Sequence, residues 1–309
     1  MQAPRLIIIG GGPAGLTAAI YGARAGMAVT VLERMSAGGQ MALTPDVENY
    51  PAWTRVEGFE LASRMEAHAR ALGAEIIYTN ATGIEVSENR ARAVITDGGR
   101  LEAAAVIAAM GVERKKIGCE GEQEYAGRGV SYCAACDGRF FAGKTTAVVG
   151  GGDAALEDAA YLAGLGCDVR LIHRRDTFRG GRLLESRVRA LPNVKLELQQ
   201  TPLAIRGGKT VESLELRHMA TGAVKSLPVS AVFAAVGVTP MTALLEGLVP
   251  LTASGHVEAG EDCRTPVEGL FAAGDIRQKP LYQIITAASD GAAAAQEAAR
   301  YAQAAWSPK

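Results

Sequence analysis

The chain contains one short pattern twice: an apolar run, then a glycine cluster, then a stretch compatible with a helix. Leu6–Ile9 precedes the glycines of residues 10–12, and Thr146–Val149 precedes the glycines of residues 150–152. Short apolar runs of this kind are typical of parallel strands that are buried on both faces. The repeated pattern predicts two doubly wound α/β domains.

Both copies continue in the same way. Leu16–Ala25 and Leu156–Leu165 are the predicted helices, and each ends near a glycine, the residue most common just beyond a helix C-terminus. A second apolar run follows each helix, Val29–Leu32 in the first copy and Val169–Ile172 in the second. The β–α–β unit is therefore complete in both copies.

The domain boundaries follow from the remaining strands and turns. Three further apolar runs end in a glycine: Ala104–Met110, Val232–Val236 and Leu270–Ala273. The simplest assembly inserts the second domain, 113–240, into a discontinuous first domain, 1–112 and 241–309. Alternating apolar residues with glycine-containing turns predict additional β-hairpins between Ile84 and Ile107 and between Leu203 and Val232.

The first glycine cluster has the spacing of a dinucleotide-binding loop. Gly10 is expected to make the tight turn, Gly12 to let the backbone approach a pyrophosphate, and Gly15 to pack the helix against the strand. The helix N-terminus would stabilise the phosphates. Glu33 ends the second strand, about twenty residues on, where a carboxylate accepts hydrogen bonds from ribose hydroxyls. This site suits FAD as a resident cofactor.

The second site differs at the end of its second strand. The position equivalent to Glu33 falls within His173-Arg174-Arg175, and Arg179 follows four residues later. A carboxylate there would repel a 2′-phosphate, whereas guanidinium groups bind one bidentately. The second site is therefore predicted to bind NADPH in preference to NADH.

A close cysteine pair, Cys133 and Cys136, lies between the two glycine clusters and is followed at once by Asp137-Gly138. Two nucleotide sites around such a pair indicate that electrons enter as a hydride and are passed on to another molecule by the dithiol form of the cysteines. The pattern predicts a flavin-dependent disulfide reductase. A structural zinc site would need two more ligands, and no second Cys-x-x-Cys or closely spaced histidine pair supplies them, so no metal is expected.

The composition limits the classes of protein to which the chain can belong. The net charge is −1 and 48% of the residues are hydrophobic, so neither nucleic acid nor an extended charged tail is expected. No apolar run approaches the roughly 20 residues of a membrane helix, and the first strand begins too early for a signal peptide. Cys119, Cys167 and Cys263 have no near partner, which argues against a secreted disulfide framework and predicts a cytoplasmic protein.

Taken together, these motifs resemble those of the low-molecular-weight bacterial thioredoxin reductases over nearly the whole chain. The family is built from two Rossmann-like domains that bind FAD and NADPH. The matching stretches are Gly10–Gly15, Gly38-Gly39-Gln40, Val47–Pro51, Gly127–Ser131, Cys133–Gly138, His173–Arg179 and Gly269–Asp275. Met110, Tyr282 and Ile284 depart from the family pattern.

The resemblance implies a catalytic role for three residues. Cys136 would face the flavin, Cys133 would attack the disulfide of thioredoxin, and Asp137 would serve as acid and base for the departing thiolate. The family is homodimeric, so a homodimer is expected.

The resemblance also completes the two predicted cofactor sites. The residues expected to bind FAD are Gly10, Gly12, Pro13, Ala14, Gly15, Glu33, Arg34, Gly39, Gln40, Asn49, Gly111, Gly274, Asp275, Gln283 and Ile284. A helix that starts near Ile285–Thr286 would point its N-terminus at the flavin. The residues expected to bind NADPH are Gly150, Gly152, Asp153, Ala154, Glu157, His173, Arg174, Arg175 and Arg179.

Two alternatives stay open at this point. The same cysteines would serve a peroxidase or a glutaredoxin-like partner equally well, because partner choice has no readable motif. A non-catalytic NADP(H)-binding or redox-sensing protein would keep the nucleotide sites without turnover, although the retained Cys133, Cys136 and Asp137 argue against it.

Overall fold

The computed structural model describes residues 3–44 and 47–305. The chain divides into two compact units, the first formed by residues 1–113 and 239–309 and the second by residues 114–238. The second unit therefore interrupts the first in sequence.

The described residues form six α-helices, four short 3-10 helices and 18 strands. The α-helices are α1 (Pro13–Arg24), α2 (Gly58–Ala71), α3 (Ala134–Asp137), α4 (Asp153–Gly164), α5 (Arg182–Arg189) and α6 (Ile284–Ala305). The 3-10 helices are Gly39–Leu43, Gly138–Phe141, Ala243–Leu245 and Gly274–Ile276.

The strands are β1 (Arg5–Ile9), β2 (Ala28–Glu33), β3 (Glu75–Tyr78), β4 (Ala81–Ser87), β5 (Arg90–Thr96), β6 (Gly99–Glu102), β7 (Ala105–Ala108), β8 (Val112–Arg114), β9 (Val130–Ser131), β10 (Thr145–Gly150), β11 (Asp168–His173), β12 (Val194–Leu198), β13 (Gln200–Gly207), β14 (Val211–His218), β15 (Val224–Pro228), β16 (Ala231–Ala235), β17 (Val238–Pro240) and β18 (Leu270–Ala272).

The first unit contains a five-stranded sheet of order β18-β7-β1-β2-β3, in which every pair is parallel. The register places Ile9 opposite Leu32, so the glycine loop after β1 and Glu33 at the end of β2 meet at one edge of the sheet. The predicted strand–glycine–helix order is confirmed. The predicted hairpins are present as the antiparallel sheet β4-β5-β6.

Both faces of this sheet are covered. Leu6 and Ile8 point to the side of α1 and α6, and Ile7 and Ile9 point to the side of the antiparallel sheet. Because all four are buried, β1 is apolar throughout rather than alternating. Burying each such side chain contributes roughly 1.5–3 kcal/mol before the loss of chain entropy is counted.

The second unit repeats this plan. Its parallel sheet has the order β12-β11-β10-β16-β9, and an antiparallel sheet β13-β14-β15 lies in the same unit. Val148 packs with the core beside α4, whereas Ala147 and Val149 pack with the residues of the antiparallel sheet. The doubly wound α/β fold predicted for both halves is confirmed.

Helix boundaries differ little from those expected. Gly26 and Gly166 follow the ends of α1 and α4 with φ values of 82° and 80°, the left-handed conformation in which glycine commonly ends a helix. Helix α6 begins at Ile284, one residue before the predicted start.

Candidate functional site

The glycines after β1 differ in whether a side chain would fit at their positions. A Cβ on Gly15 would lie 1.8 Å from the carbonyl oxygen of Gly10, and one on Gly10 would lie 2.4 Å from that of Ala109. A Cβ on Gly12, by contrast, would meet no atom within 4 Å. Gly10 and Gly15 are thus needed for packing, while Gly12 leaves open space before α1, whose first residue is Pro13. That open space is what a bound pyrophosphate requires.

Glu33 lies beside the same loop. Its Oε2 accepts the backbone N–H of Gly11 at 2.7 Å, and its Oε1 accepts that of Met35 at 2.9 Å. A carboxylate has about four acceptor positions, so both oxygens retain capacity for ribose hydroxyls. The two backbone bonds hold the carboxylate at the edge of the loop.

Among the other predicted FAD residues, Gly39 lies next to this loop, and Gln40, Asn49 and Gln283 make hydrogen bonds elsewhere in the first unit. A Cβ on Gly39 would lie 3.4 Å from Cα of Gly12, so the segment after β2 passes directly over the glycines. The side-chain amide of Gln40 donates to the carbonyl oxygen of Val112. Asn49 and Gln283, which are distant in sequence, are joined by a 3.0 Å bond from Asn49 Nδ2 to Gln283 Oε1.

The remaining predicted FAD residues have these positions. Gly111 follows β7 with φ of 71°, and Ala14 is buried at the start of α1. Arg34 is exposed, 3.8 Å from Glu113, and Ile284 is the first residue of α6.

The loop after β18 is anchored by a residue that sequence reasoning missed. The carboxylate of Asp290, on α6, accepts the backbone N–H of Gly274 at 3.0 Å, and it also binds Arg277 at 2.8 Å and Lys279 at 3.1 Å. Asp275 lies 3.5 Å from the Lys279 ammonium group. The side chains of Asp290, Arg277 and Lys279 are all buried, so Asp290 fixes the backbone next to the predicted flavin ligand Asp275.

In the glycine loop after β10, one glycine is likewise needed for close packing and another leaves open space. A Cβ on Gly150 would lie 2.4 Å from the carbonyl oxygen of Ala235, while one on Gly152 would meet nothing within 4 Å. Asp153 begins α4, and its Oδ1 accepts the backbone N–H of Gly181 at 2.7 Å. Ala154 and Glu157 lie exposed on the first turns of α4. This loop also leaves room for a pyrophosphate.

His173 occupies the position that corresponds to Glu33, because Val149 pairs with Ile172 as Ile9 pairs with Leu32. The His173 side chain is only 6% exposed and packs so closely on Gly151 that a Cβ there would lie 2.1 Å from its ring. It stacks on Phe178, and its Nε2 lies 3.1 Å from the carbonyl oxygen of Thr177. Burial lowers the pKa of His173, and the nearby arginines lower it further.

The three arginines of this segment are exposed, unlike His173. Arg174 and Arg175 directly follow β11, and the backbone N–H of Arg179 donates to the carbonyl oxygen of Gly151 at 2.7 Å. That bond ties the arginine segment to the glycine loop. The exposed positive charge of this edge therefore comes from the arginines, and the buried His173 ring packs against the glycine loop.

Cys133 and Cys136 form a disulfide, which confirms the predicted redox-active pair. Cys133 is the N-cap of the short helix α3, and its Sγ accepts the backbone N–H of Cys136 at 3.2 Å. Both cysteines are half-buried. The sulfur atoms are thus held at the start of a turn in which Asp137 is the last residue.

Ser131 is a second residue that sequence reasoning left without a role. It lies at the end of β9, is 5% exposed, and its Oγ is 2.5 Å from Oδ2 of Asp137. The same Oγ accepts the backbone N–H of Cys133 at 3.1 Å. Because side chains alternate along a strand, the sequence could have placed Ser131 on the same face as Cys133. The contact between Ser131 and Asp137 could not be predicted, because it forms only when the chain turns into α3 and brings Asp137 back beside Ser131.

The other three cysteines are free thiols. Burial raises the pKa of Cys119 to about 11 and that of Cys263 to about 12, and it also raises the pKa of Cys167. Each is therefore a poor nucleophile near neutral pH. Within residues 3–44 and 47–305, no group of three or more His, Cys, Asp or Glu residues is arranged to hold a metal ion.

None of the helices in the described part of the chain is both long and apolar enough to span a membrane.

Comparison with known proteins agrees with this geometry. The chain is 42% identical over 297 residues to a protein named thioredoxin reductase from Treponema pallidum (strain Nichols), covering 96% of each chain. It is 43% identical over 303 residues to a thioredoxin reductase from Bacillus subtilis (strain 168), covering 96% of this chain and 94% of the relative.

Solved structures give the same result. The crystal structure of thioredoxin reductase from Streptococcus pyogenes MGAS5005 matches with a TM-score of 0.91 at 37% identity, covering 98% of this chain and all of that chain (100%). Residues 4–299 match the family described as pyridine nucleotide-disulphide oxidoreductase. The chain belongs to the pyridine nucleotide-disulphide oxidoreductase family.

Proposed function

We propose that this protein is an NADPH-dependent thioredoxin-disulfide reductase. The observation that carries the proposal is the Cys133–Cys136 disulfide beside Asp137, in a unit that has its own dinucleotide-binding loop. Relatives that are 42% and 43% identical over 96% of this chain are named thioredoxin reductase. Their names favour thioredoxin over a peroxidase or a glutaredoxin-like partner and favour an enzyme over a sensor.

The first unit fits FAD as the resident cofactor. The open space at Gly12 and the N-terminus of α1 suit a pyrophosphate, and the Glu33 carboxylate suits ribose hydroxyls. Gly39, Asn49 and Asp275 would line the remainder of the cofactor.

The second unit fits NADPH. Gly152 leaves the same open space before α4, and the exposed Arg174, Arg175 and Arg179 supply guanidinium groups for a 2′-phosphate. A carboxylate in the position of Glu33 is absent because His173 occupies it. We therefore assign phosphate recognition to the arginines and support of the loop to His173.

Bound FAD would supply the electron chemistry, taking a hydride from NADPH and delivering an electron pair to a disulfide. Opening the Cys133–Cys136 bond consumes two electrons and two protons. Cys133 leaves as a thiolate, and Asp137 is the side chain that gives it a proton.

The dithiol then reduces thioredoxin by exchange. The Asp137 carboxylate takes the proton back from Cys133, and the resulting Cys133 thiolate attacks one sulfur of the thioredoxin disulfide, forming a mixed disulfide and releasing one thioredoxin thiolate, which the Asp137 carboxyl can protonate. Cys136 next attacks the Cys133 sulfur, which restores the intramolecular disulfide and releases the second thioredoxin thiol. The homodimer and the cytoplasmic location stay predictions.

The test is NADPH oxidation by the purified protein with oxidised thioredoxin, oxidised glutaredoxin or a disulfide-form peroxidase as acceptor. Thioredoxin is expected to be the best acceptor. Cys133→Ser is expected to abolish thioredoxin reduction while NADPH still bleaches the flavin, because Cys133 acts only after the electrons have reached the flavin.

Cys119→Ser is the matched control, since Cys119 is a free thiol in the same unit with a raised pKa. It is expected to behave as the wild type. Normal thioredoxin turnover by Cys133→Ser, or turnover only with another acceptor, would contradict the proposal.

A further inference from the structure

Asp137 has to hold a proton at one stage of the proposed cycle and release it at another, yet its carboxyl must stay beside the cysteines throughout. A carboxyl on a short half-buried turn has several rotamers available. Whatever keeps it in place must therefore accept both its ionised and its protonated form.

The described contacts of Ser131 meet this requirement. Its Oγ lies 2.5 Å from Oδ2 of Asp137, a separation typical of a hydroxyl that donates to an ionised carboxylate. Its lone pair accepts the backbone N–H of Cys133 at 3.1 Å, which fixes the position of the oxygen. At 5% exposure, Ser131 is shielded from competing water.

The hydroxyl also has an alternative acceptor. The carbonyl oxygen of Cys133 lies 3.4 Å from Ser131 Oγ. When Asp137 carries a proton on Oδ2, that proton can be donated to Ser131 Oγ while the hydroxyl hydrogen turns to the Cys133 carbonyl. A serine oxygen has two acceptor positions and one donor, so Ser131 makes two of these hydrogen bonds when Asp137 is ionised and all three when Asp137 is protonated.

We propose that Ser131 is a positioning residue that holds the Asp137 carboxyl in one place in both of its protonation states. Ser131 acts through Asp137 and exchanges no proton with the substrate. The inference rests on the acid–base role assigned to Asp137 under the proposed function.

The test uses thiol–disulfide exchange with a small probe, so that it does not depend on the protein partner. The holoprotein is reduced with dithiothreitol, freed of excess reagent, and mixed with bis(2-hydroxyethyl) disulfide over a range of pH. Thiolate attack on this probe requires Cys133 and a proton carrier but no thioredoxin. The exchange rate is plotted against pH, and the limb of this profile that disappears in Asp137→Asn is assigned to Asp137.

In Ser131→Ala this limb is expected to move to higher pH by about one unit, because the charge-assisted hydrogen bond to the ionised carboxylate is stronger than the bond to the neutral carboxyl. Ser131→Thr, which keeps the hydroxyl, is expected to restore the limb. Ser186→Ala, an exposed serine on α5 of the same unit, is the control and should leave the profile unchanged.

A second readout is the coupling between the two residues. If Ser131 acts through Asp137, the substitution Ser131→Ala is expected to lower the exchange rate in the wild type but to have little further effect in Asp137→Asn. Ser131→Gly repeats the test should the alanine variant not fold.

Three results would overturn the inference: an Asp137 limb that stays in place in Ser131→Ala, equal effects of Ser131→Ala with and without Asp137, or an unchanged profile in Asp137→Asn. Failure of the proposed function gives a different result. In that case the limb shifts as expected with the small probe, but the wild type does not reduce thioredoxin.

Discussion

The residues at the end of β11 and just after it differ in their exposure. Arg174 and Arg175 are exposed, whereas His173 lies beneath the glycine loop and packs on Gly151. The sequence motif groups these residues together, but only the arginines are exposed, as the proposed binding of a 2′-phosphate requires.

Replacing both Arg174 and Arg175 with Ala is expected to raise the Michaelis constant for NADPH and to change that for NADH little. Each lost charge-assisted contact costs roughly 1.5–3 kcal/mol, which corresponds to roughly tenfold or more in binding. Steady-state kinetics with both nucleotides measure the effect. Arg187→Ala, an exposed arginine on α5, is the control. An unchanged preference for NADPH in the double variant would show that the arginines do not bind the phosphate.

His173 predicts a pH dependence of stability. Its pKa is lowered in the folded state by burial and by the neighbouring arginines, so the unfolded chain takes up the proton first as the pH falls. The free energy of unfolding should therefore decrease from the ordinary histidine pKa of about 6.5 down to the lowered value. Urea unfolding at pH 7.5 and 5.5 measures this loss.

Between pH 7.5 and 5.5 the free energy of unfolding of His173→Gln should fall less than that of the wild type, because the variant lacks one histidine that takes up a proton on unfolding. The buried His256, whose pKa burial also lowers, should still contribute. His68→Gln, on the exposed face of α2, is expected to keep the wild-type pH dependence. Equal losses in His173→Gln and the wild type would refute the account of His173.

At the scale of elements, α6 combines close helix packing with a buried ionic cluster. A Cβ on Gly291 would lie 2.1 Å from the carbonyl oxygen of Ala14, so α1 and α6 touch at their backbones. This explains why small residues dominate α6. The residue directly before Gly291, Asp290, binds Arg277 and Lys279, whose side chains are each only 4% exposed.

The substitution Asp290→Asn is expected to lower the free energy of unfolding by about 3 kcal/mol, because it removes the nearest carboxylate from two buried cations. Urea unfolding is the measurement. Glu297→Gln serves as the control on the same helix, since its partners Arg264 and Arg300 are 51% and 71% exposed. Its effect should stay below about 1 kcal/mol. Equal losses in the two variants would contradict this account of α6.

At the scale of the whole molecule, the sequence was sufficient to predict the two doubly wound units because their signals are local. Apolar runs such as Leu6–Ile9, glycines at fixed spacing and a cysteine pair are all visible within a few residues. The contacts of Asp290 and Ser131 could not be predicted in this way. They depend on how a helix meets a loop distant in sequence and on how a tight turn folds back on its strand.

His173 illustrates the same limit. Its place at the end of β11 follows from the sequence, but its burial follows from the close approach of the Gly151 backbone, which no local pattern reports.

In the proposed reaction, electrons from NADPH reach the Cys133–Cys136 disulfide through a flavin bound at the first glycine loop. Gly12→Ala should fold normally, because its Cβ meets no atom within 4 Å, yet it should lack the flavin. The direct measurement is anaerobic addition of NADPH followed by alkylation and mass spectrometry of the intact chain. The wild type should gain two alkylated thiols, at Cys133 and Cys136, and Gly12→Ala should gain none. NADPH consumption by the wild type with the disulfide left intact would contradict the proposed reaction.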